Sequence, residues 1–248
     1  TLWHTLSLHD ALPISLIGVS LPDLPPYDLK GRLSLNNGVW EFQDFEGRVG
    51  DSDLSGDIRI DTAGEKPDLT ADLSSENLDF DDLSGLVGAA PATGSGETAS
   101  PAQKREASRE ARDEEVLPEE AYGMERLKAM NAAVAYRAKK VEAPDLPLDE
   151  VDIDFNLKGG GMLFEPLKFD IGEGSVDMKL SLEPRNGTFQ GMVEAEIKRV
   201  DLKRALKQFD MADESAGLIG GRAKFWFQGM SMADLLASAD GGSYLLMT

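Results

Sequence analysis

Cysteine and histidine, on which much nucleophilic catalysis and zinc binding in proteins depends, are scarce in this 248-residue chain. It contains no cysteine and two histidines, His4 and His9. The sequence therefore offers no disulfide and no thiolate zinc site, and no Cys–His pair can form. It also lacks the glycine-rich phosphate loops, the dinucleotide fingerprint and the serine elbow that mark common enzyme classes. We expect no cofactor.

Both histidines fall in an N-terminal string that does not look native. Residues 5–15 read TLSLHDALPIS, which is identical to the translation of one reading frame of a common short-read sequencing adapter. We therefore treat residues 1–15 as a non-native, adapter-like segment and exclude them from fold reasoning. Without their imidazoles, Ser-His-Asp and Cys-His mechanisms are excluded for the native part. We also expect the native start, with any anchor, to lie outside this sequence.

Carboxylates are the reactive groups that remain abundant, with 45 Asp and Glu against 25 Lys and Arg. A glycosidase-type acid pair is allowed by residue type alone, but most acids alternate with apolar residues along strand-like runs. The strings 51–53 (DSD) and 79–82 (DFDD) resemble fragments of calcium loops without completing one. The second string is better interpreted as a helix cap with first-turn acids. We predict neither a catalytic site nor a metal site.

The net charge of −20 limits the possible partners. Phosphate recognition needs clustered Lys and Arg, so the balance argues against a nucleic-acid partner. It equally disfavours electrostatic docking on an anionic membrane surface. No apolar run approaches the roughly 20 residues that a membrane-spanning helix needs.

An internal repeat organises the rest of the chain. Residues 22–83 align without a gap with residues 144–205, both copies open with PDLP, and the apolar positions coincide. Residues 89–118 interrupt the pattern with Ala, Gly, Ser, Pro and charged residues, a composition that cannot bury a core. We predict a first β repeat (16–88), a flexible polar linker (89–118), a second β repeat (119–210) and a truncated third repeat (211–248).

Within both copies apolar residues recur at every second position, which is the period of a strand. The run 151–157, for example, alternates Val, Ile, Phe and Leu with Asp and Asn. Asn37-Gly38 and Asn186-Gly187 are typical of tight hairpin turns. Short helices are predicted after Asp79, Asp201 and Ser231, which are good N-caps, with Gly241 ending the last helix. The predicted fold is mainly β, a repeated antiparallel β-meander that forms a curved, groove-like sheet with short capping helices.

Each predicted strand has one apolar and one charged face. An apolar groove could receive acyl chains, because each buried CH₂ contributes about 0.8 kcal/mol. The same pattern would arise if these residues packed into a closed core against helices or another sheet, and the sequence leaves both possibilities open. The candidate groove-lining residues are Leu33, Leu35, Ile58, Ile60, Phe155, Leu157, Met178, Leu180 and Leu182.

An ordered series of motifs carries a family resemblance. The run DFNLKGGGMLFEPLKFDIGEGSVDMKLSLE at 154–183, followed by VDLKRAL at 200–206, resembles the C-terminal region of AsmA family proteins. The first copy, GVWEFQDFEGRVGDSDLSGDIRID with NLDFDDL, and the closing GMSMADLLASADGGSYLLM are similar to the same region. The resemblance covers nearly all of residues 22–248, and the polar insert at 89–118 is its one departure.

This resemblance implies a non-enzymatic periplasmic protein of Gram-negative bacteria, anchored to the inner membrane and involved in outer-membrane biogenesis. Its apolar β groove would bind phospholipid, or another acyl-chain lipid, and carry it between the inner and outer membranes. The implied partners are that lipid, the inner membrane through an N-terminal anchor missing from this sequence, and envelope proteins. The resemblance transfers no catalytic residue and no cofactor. The alternative is a structural or interaction scaffold of the periplasm that transports no lipid.

Overall fold

A computed structural model of the chain describes residues 2–7, 25–83, 98–100, 103–105, 124–143, 148–205 and 217–247. These residues form fourteen strands, a 3₁₀ helix at Phe80–Leu83 and three short α-helices, α1 (Met124–Lys128), α2 (Leu202–Ala205) and α3 (Met232–Ala237). The strands are β1 (Leu2–Ser7), β2 (Tyr27–Asn36), β3 (Val39–Val49), β4 (Ser52–Asp61), β5 (Asp68–Ser75), β6 (Leu78–Asp79), β7 (Asn131–Ala138), β8 (Val141–Glu142), β9 (Glu150–Lys158), β10 (Gly161–Ile171), β11 (Gly174–Arg185), β12 (Thr188–Asp201), β13 (Leu218–Gly229) and β14 (Asp240–Met247).

Twelve of these strands form one sheet that follows the chain order, β1-β2-β3-β4-β5-β7-β9-β10-β11-β12-β13-β14, and β6 pairs with β8 separately. The predicted mainly β fold is thereby confirmed. One departure from the predicted meander lies between the two copies, where β5 and β7 pair in parallel, as do β6 and β8. The long connection over residues 76–130 returns the chain to the end of the sheet where β5 began, and only such a crossover permits a parallel pair.

The predicted hairpins at the two Asn-Gly pairs are confirmed. Asn37 and Gly38 have φ of 50° and 81° and join β2 to β3, while Asn186 and Gly187 have φ of 52° and 82° and join β11 to β12. Two successive positive φ angles define the turn whose twist matches that of the flanking strands. These turns set the register of their hairpins and therefore which side chains share a face.

The two copies found in the sequence fold alike. Strands β3 and β10 begin and end 122 positions apart, and so do the 3₁₀ helix and α2. Both β3 and β10 carry a bulge at the same place, between Phe42 and Phe45 in the first copy and between Phe164 and Leu167 in the second. The structure thus repeats the unit, whereas the division into domains at residues 16, 89, 119 and 211 stays a prediction.

The first turn of the helix that follows Ser231 is capped by two reciprocal hydrogen bonds between Ser231 and Asp234. The Ser231 hydroxyl accepts a hydrogen bond from the Asp234 amide at 3.1 Å, and the Asp234 carboxylate accepts one from the Ser231 amide at 3.3 Å. The predicted role of Gly241 is wrong. Helix α3 ends at Ala237, and Gly241 lies in β14 opposite Phe225, because a new strand begins immediately after the helix.

We expect Ser231→Ala to lower the free energy of unfolding by about 1 kcal/mol, because the helix loses an N-cap acceptor in a position that is 3% exposed. Urea unfolding followed by circular dichroism measures the loss. Ser231→Asn should restore most of the stability, since its side chain also accepts from the first turn. An alanine variant as stable as the wild type would contradict the capping argument.

Several predictions fall outside the described residues. They concern most of the linker 89–118, residues 8–15 of the adapter-like segment, the PDLP motifs apart from Pro25, and the predicted helical stretches beyond 83 and beyond 205. Within the described part of the chain, the helices are all too short or too polar to cross a membrane.

Candidate functional site: the apolar face of the sheet

Strand register collects apolar side chains on one face of the sheet. Residues paired directly across neighbouring strands project to the same side, so one row of pairs can be followed from β2 to β13. This central row is Leu33, Phe42, Ile58, Ala71, Val134, Phe155, Phe164, Leu180, Val193 and Phe225. With strands about 4.8 Å apart, its ten residues span about 43 Å.

Two further rows flank the central row on the same face. The outer row is Leu35, Trp40, Ile60, Leu69, Ala132, Leu157, Met162, Leu182, Gly191 and Phe227. The second row, on the other side of the central row, is Phe45, Gly56, Leu73, Tyr136, Ile153, Leu167, Met178, Ala195 and Ala223. The three rows contain no ionisable group apart from the Tyr136 phenol.

All nine candidate groove residues lie on this face. Leu33, Ile58, Phe155 and Leu180 belong to the central row. Leu35, Ile60, Leu157 and Leu182 belong to the outer row, and Met178 belongs to the second row. The register thus brings residues of both copies into one continuous surface. That they contact lipid stays a prediction.

The middle of the face is open among the described residues. Eight of the ten central-row side chains are half-buried, and only Phe42 and Ala71 are buried, at 7% and 6% exposure. Among these residues no second sheet packs over the central row. The outer row differs from end to end, since Leu157 and Leu182 are buried whereas Leu35 is 51% exposed.

Two small hydrophobic clusters cover the face at opposite ends of the strands. At one end Leu182, Phe189 and Leu235 form a buried cluster, against which Leu127 of α1 and Phe227 pack. At the other end a second buried cluster lies around the β6–β8 pair, formed by Leu78, Ala138, Val141 and Val151. The covers leave the strip between them accessible, which is the shape of a trough.

The residues of the face that were not among the nine candidates include four that lie beside a β-bulge. Phe42 and Phe45, and likewise Phe164 and Leu167, are three positions apart, yet each pair lies on one face because a bulge sits between its members. The rings of Phe42 and Phe45 stack with centroids 4.8 Å apart. They cover Gly31, where a Cβ atom would lie 2.6 Å from the Phe45 Cβ. In the sequence, the only sign of these bulges is that two apolar residues three positions apart occur at the same place in both copies.

The opposite face is ionic. Arg137 and Asp152 pair at 2.7 Å on β7 and β9, and Arg222 and Glu196 pair at 2.8 Å on β13 and β12. Hydrogen bonds from Lys198 and Arg222 lower the pKa of the Glu196 carboxyl, and one from Lys224 lowers that of Glu194. Exposed pairs of this kind add little stability. They keep this side of the sheet hydrated and unsuited to apolar ligands.

The two acidic strings suggested as calcium-loop fragments meet through hydrogen bonds. The Asp82 carboxylate, in a residue only 7% exposed, accepts from the Ser52 hydroxyl at 2.6 Å, the Ser52 amide at 2.9 Å and the Asp51 amide at 3.0 Å. Asp79 accepts from the Asp81 amide at 3.0 Å, as expected of a cap. Asp81 and Asp82 lie in the first turn of the 3₁₀ helix, as predicted, and Asp82 in addition ties that helix to β4.

Burial raises the pKa of both the Asp79 and the Asp82 carboxyls, against the opposing effect of the hydrogen bonds they accept. Within the described residues no three His, Cys, Asp or Glu side chains are arranged to hold a metal ion. Burial also raises the pKa of Tyr136 to about 12, and its hydroxyl donates to Ser75 at 2.9 Å. The Asp79, Asp82 and Tyr136 side chains therefore stabilise this end of the sheet through hydrogen bonds. On the apolar face beside them, a ligand would meet apolar side chains and the Tyr136 phenol, whose hydroxyl is already hydrogen-bonded.

The fold and this face define a class of protein, a tandem-repeat β-sheet protein with one apolar and one ionic side. The chain belongs to the AsmA family, whose model matches residues 27–248. It is similar to the AsmA family protein YhjG of Escherichia coli (strain K12), with 29% identity over 238 residues, which cover 94% of this chain and 35% of that relative. No solved structure matches the chain. AsmA family proteins are cell-envelope proteins and are generally non-enzymatic.

Proposed function

We propose that the apolar face binds the acyl chains of phospholipid, and that the parent protein carries phospholipid between the inner and outer membranes. The central row carries this proposal, because it is an uninterrupted apolar path across ten strands and eight of its side chains are half-buried. Exposed apolar surface on this scale marks an interaction site. Burying ten CH₂ groups of one acyl chain would contribute about 8 kcal/mol before the costs of association.

The ionic face supports the same proposal by exclusion. Arg, Lys, Asp and Glu side chains alternate across β7 to β13 on that side, so an apolar ligand has one side of the sheet to occupy. A parent protein in the periplasm, anchored to the inner membrane by a segment outside this sequence, would place such a trough between the two membranes. Family membership as a cell-envelope protein agrees with that location.

The alternative function is a scaffold for envelope proteins that moves no lipid. It is favoured by two aromatic residues on the ionic face, Trp226 and Tyr244, which are 52% and 64% exposed. Exposed aromatic side chains are enriched at protein interfaces. A measurement of lipid binding by the apolar face therefore distinguishes the lipid carrier from the scaffold.

The test of the lipid proposal compares two neighbouring substitutions on β11. The purified chain is incubated with phospholipid vesicles, separated from them, and analysed for bound phospholipid by mass spectrometry. Leu180→Asp places a carboxylate in the central row and should reduce bound lipid at least tenfold, because the charge loses its hydration when a chain lies over it. Ser181→Asp, one residue away on the ionic face, should leave binding unchanged.

Circular dichroism melting establishes that both variants remain folded. Absence of bound phospholipid from the wild-type chain, or equal amounts of bound phospholipid in the wild-type chain and Leu180→Asp, would refute lipid binding by this face and favour the scaffold. Equal losses in the two variants would show that the faces do not differ as proposed.

A further inference from the structure

The two Asn-Gly turns have the same backbone but different surroundings. Asn37 and Asn186 have φ of 50° and 52°, and the glycines that follow them have φ of 81° and 82°. Both turns lie at the end of the sheet where the outer row runs, and both asparagine residues are exposed. The chain thus carries one local structure twice, and a difference in the chemistry of the folded turns would come from their contacts.

The first turn is held by the loop that follows β4. The Gly38 carbonyl accepts hydrogen bonds from the Thr62 amide at 2.8 Å and from the Thr62 hydroxyl at 2.7 Å. A Cβ atom on Gly38 would lie 3.5 Å from both the Thr62 hydroxyl oxygen and the Ala63 amide nitrogen. The peptide group between Asn37 and Gly38 therefore rotates only when these contacts break.

The second turn has no such support from the described part of the chain. A Cβ atom on Gly187 would have no neighbour within 4 Å, and Gly187 itself is exposed. The Thr188 hydroxyl donates to the Arg185 carbonyl at 3.1 Å. That bond closes the turn but does not involve the peptide group between Asn186 and Gly187, which is left free to rotate.

We propose that Asn186 is a site of spontaneous deamidation and isoaspartate formation, and that Asn37 is protected from the same reaction. The Gly187 amide nitrogen attacks the Asn186 Cγ atom, because no Cβ atom on glycine blocks its approach. A new N–Cγ bond forms, the Cγ–Nδ2 bond breaks, and ammonia leaves with the proton of the Gly187 nitrogen. Water then opens the succinimide ring at either carbonyl, which gives aspartate or isoaspartate.

Isoaspartate changes the hairpin, because the main chain then runs through the side-chain carbon and gains one CH₂ group. Beside the unmodified turn, Pro184 pairs with Phe189. The Phe189 side chain is fully buried in the cluster that covers one end of the apolar face. The added atom shifts β12 against β11 next to this cluster, so the modification loosens the cover. The reaction itself does not depend on lipid binding.

The first experiment ages the full chain in mildly alkaline buffer, folded and in concentrated urea, and follows both asparagines by peptide mapping with mass spectrometry. In the folded chain Asn186 should react about tenfold faster than Asn37, which is the effect expected of two hydrogen bonds to Gly38. In urea the two rates should be similar, because a glycine follows both asparagines. Equal rates in the folded chain, or no reaction at Asn186, would overturn the proposal.

Two variants test the protection and identify the product. Thr62→Val removes one donor to Gly38 with little change in shape, so it should raise the rate at Asn37 about threefold and leave that at Asn186 unchanged. An unchanged rate at Asn37 would contradict the role given to Thr62. Protein isoaspartyl methyltransferase, with S-adenosylmethionine, should methylate the aged wild-type chain. Asn186→Gly keeps the turn, since Gly-Gly accepts both positive φ angles, and should lose most of this methylation.

The effect on the cover is measured by urea unfolding. The aged wild-type chain should unfold at a lower urea concentration than the fresh chain, whereas ageing should leave the midpoint of Asn186→Gly unchanged. Fresh Asn186→Asp should match the fresh wild type, because it adds the charge without lengthening the backbone. An aged chain that contains isoaspartate at residue 186 and keeps its midpoint would overturn the proposed effect on the cover.

Discussion

Replacing Phe189 with alanine is expected to lower the free energy of unfolding by about 3–5 kcal/mol. The Phe189 side chain is fully buried, at 0% exposure, and lies in the cluster with Leu182 and Leu235 that covers one end of the apolar face. Removing its ring leaves a cavity under α3 that the short helix cannot fill without moving. Since domains are stable by only about 5–15 kcal/mol, urea unfolding should show a large fall in midpoint.

The control for this prediction is Phe225→Ala. Phe225 occupies the central row on the neighbouring strand β13 and is half-buried, so truncation removes less buried surface and leaves no enclosed cavity. We expect a loss of about 1 kcal/mol. Equal losses at the two positions would mean that the central row is part of a closed core, and the trough would then be ruled out on stability data alone.

The apolar and charged faces of the strands could be predicted from the sequence because successive side chains of a strand point to opposite faces. With a period of two, one charged residue between two apolar ones fixes which side each occupies. The Asn-Gly pairs then located the hairpin turns and with them the register, because few other dipeptides adopt two successive positive φ angles. All nine candidate residues consequently lie on one face.

The assignment of faces from alternation fails where a strand contains a β-bulge. Strict alternation would place Phe45 opposite to Phe42 and Leu167 opposite to Phe164, yet the extra residue in each bulge returns both pairs to one side. The parallel pairing of β5 and β7 was equally beyond local reasoning, because it depends on where a long connection returns. The chance to recognise the bulges lay in the repeat, since the spacing of three recurs in both copies.

Whether the face is open or closed depends on contacts between residues distant in sequence. Leu127 and Leu235 belong to helices on separate connections and meet beside Leu182. At the opposite end Leu78 and Val141 join across the crossover. No local pattern reports these contacts, and they decide that Leu182 is covered while Leu180, two positions away on the same strand and face, is half-buried.

The second large effect is expected at Asp82, where Asp82→Ala should cost about 3 kcal/mol. The substitution leaves the Ser52 hydroxyl, the Ser52 amide and the Asp51 amide without their acceptor, and each unsatisfied buried donor costs about 1–3 kcal/mol unless water reaches it. It also frees the 3₁₀ helix from β4. Gly50→Ala should act on the same contact, because a Cβ there would collide with the Asp82 carboxylate and φ is +62°. Chemical unfolding at pH 7 measures both losses.

Asp82→Asn separates the hydrogen bonds from the charge. Its amide oxygen can accept the same three bonds, so we expect a loss below about 1 kcal/mol at pH 7. Burial raises the pKa of the Asp82 carboxyl above its ordinary 3.8, so between those two values the folded chain binds more protons than the unfolded one. The contribution of Asp82 to stability therefore falls as the pH rises through this window.

Asparagine does not titrate, and the raised pKa of Asp79 is present in both proteins. The free energy of unfolding of Asp82→Asn should consequently increase relative to that of the wild type as the pH is raised from about 4 to 7. A difference that stays constant with pH would show that the three donors offset the penalty of burial, and a difference that moves in the other direction would show that they exceed it.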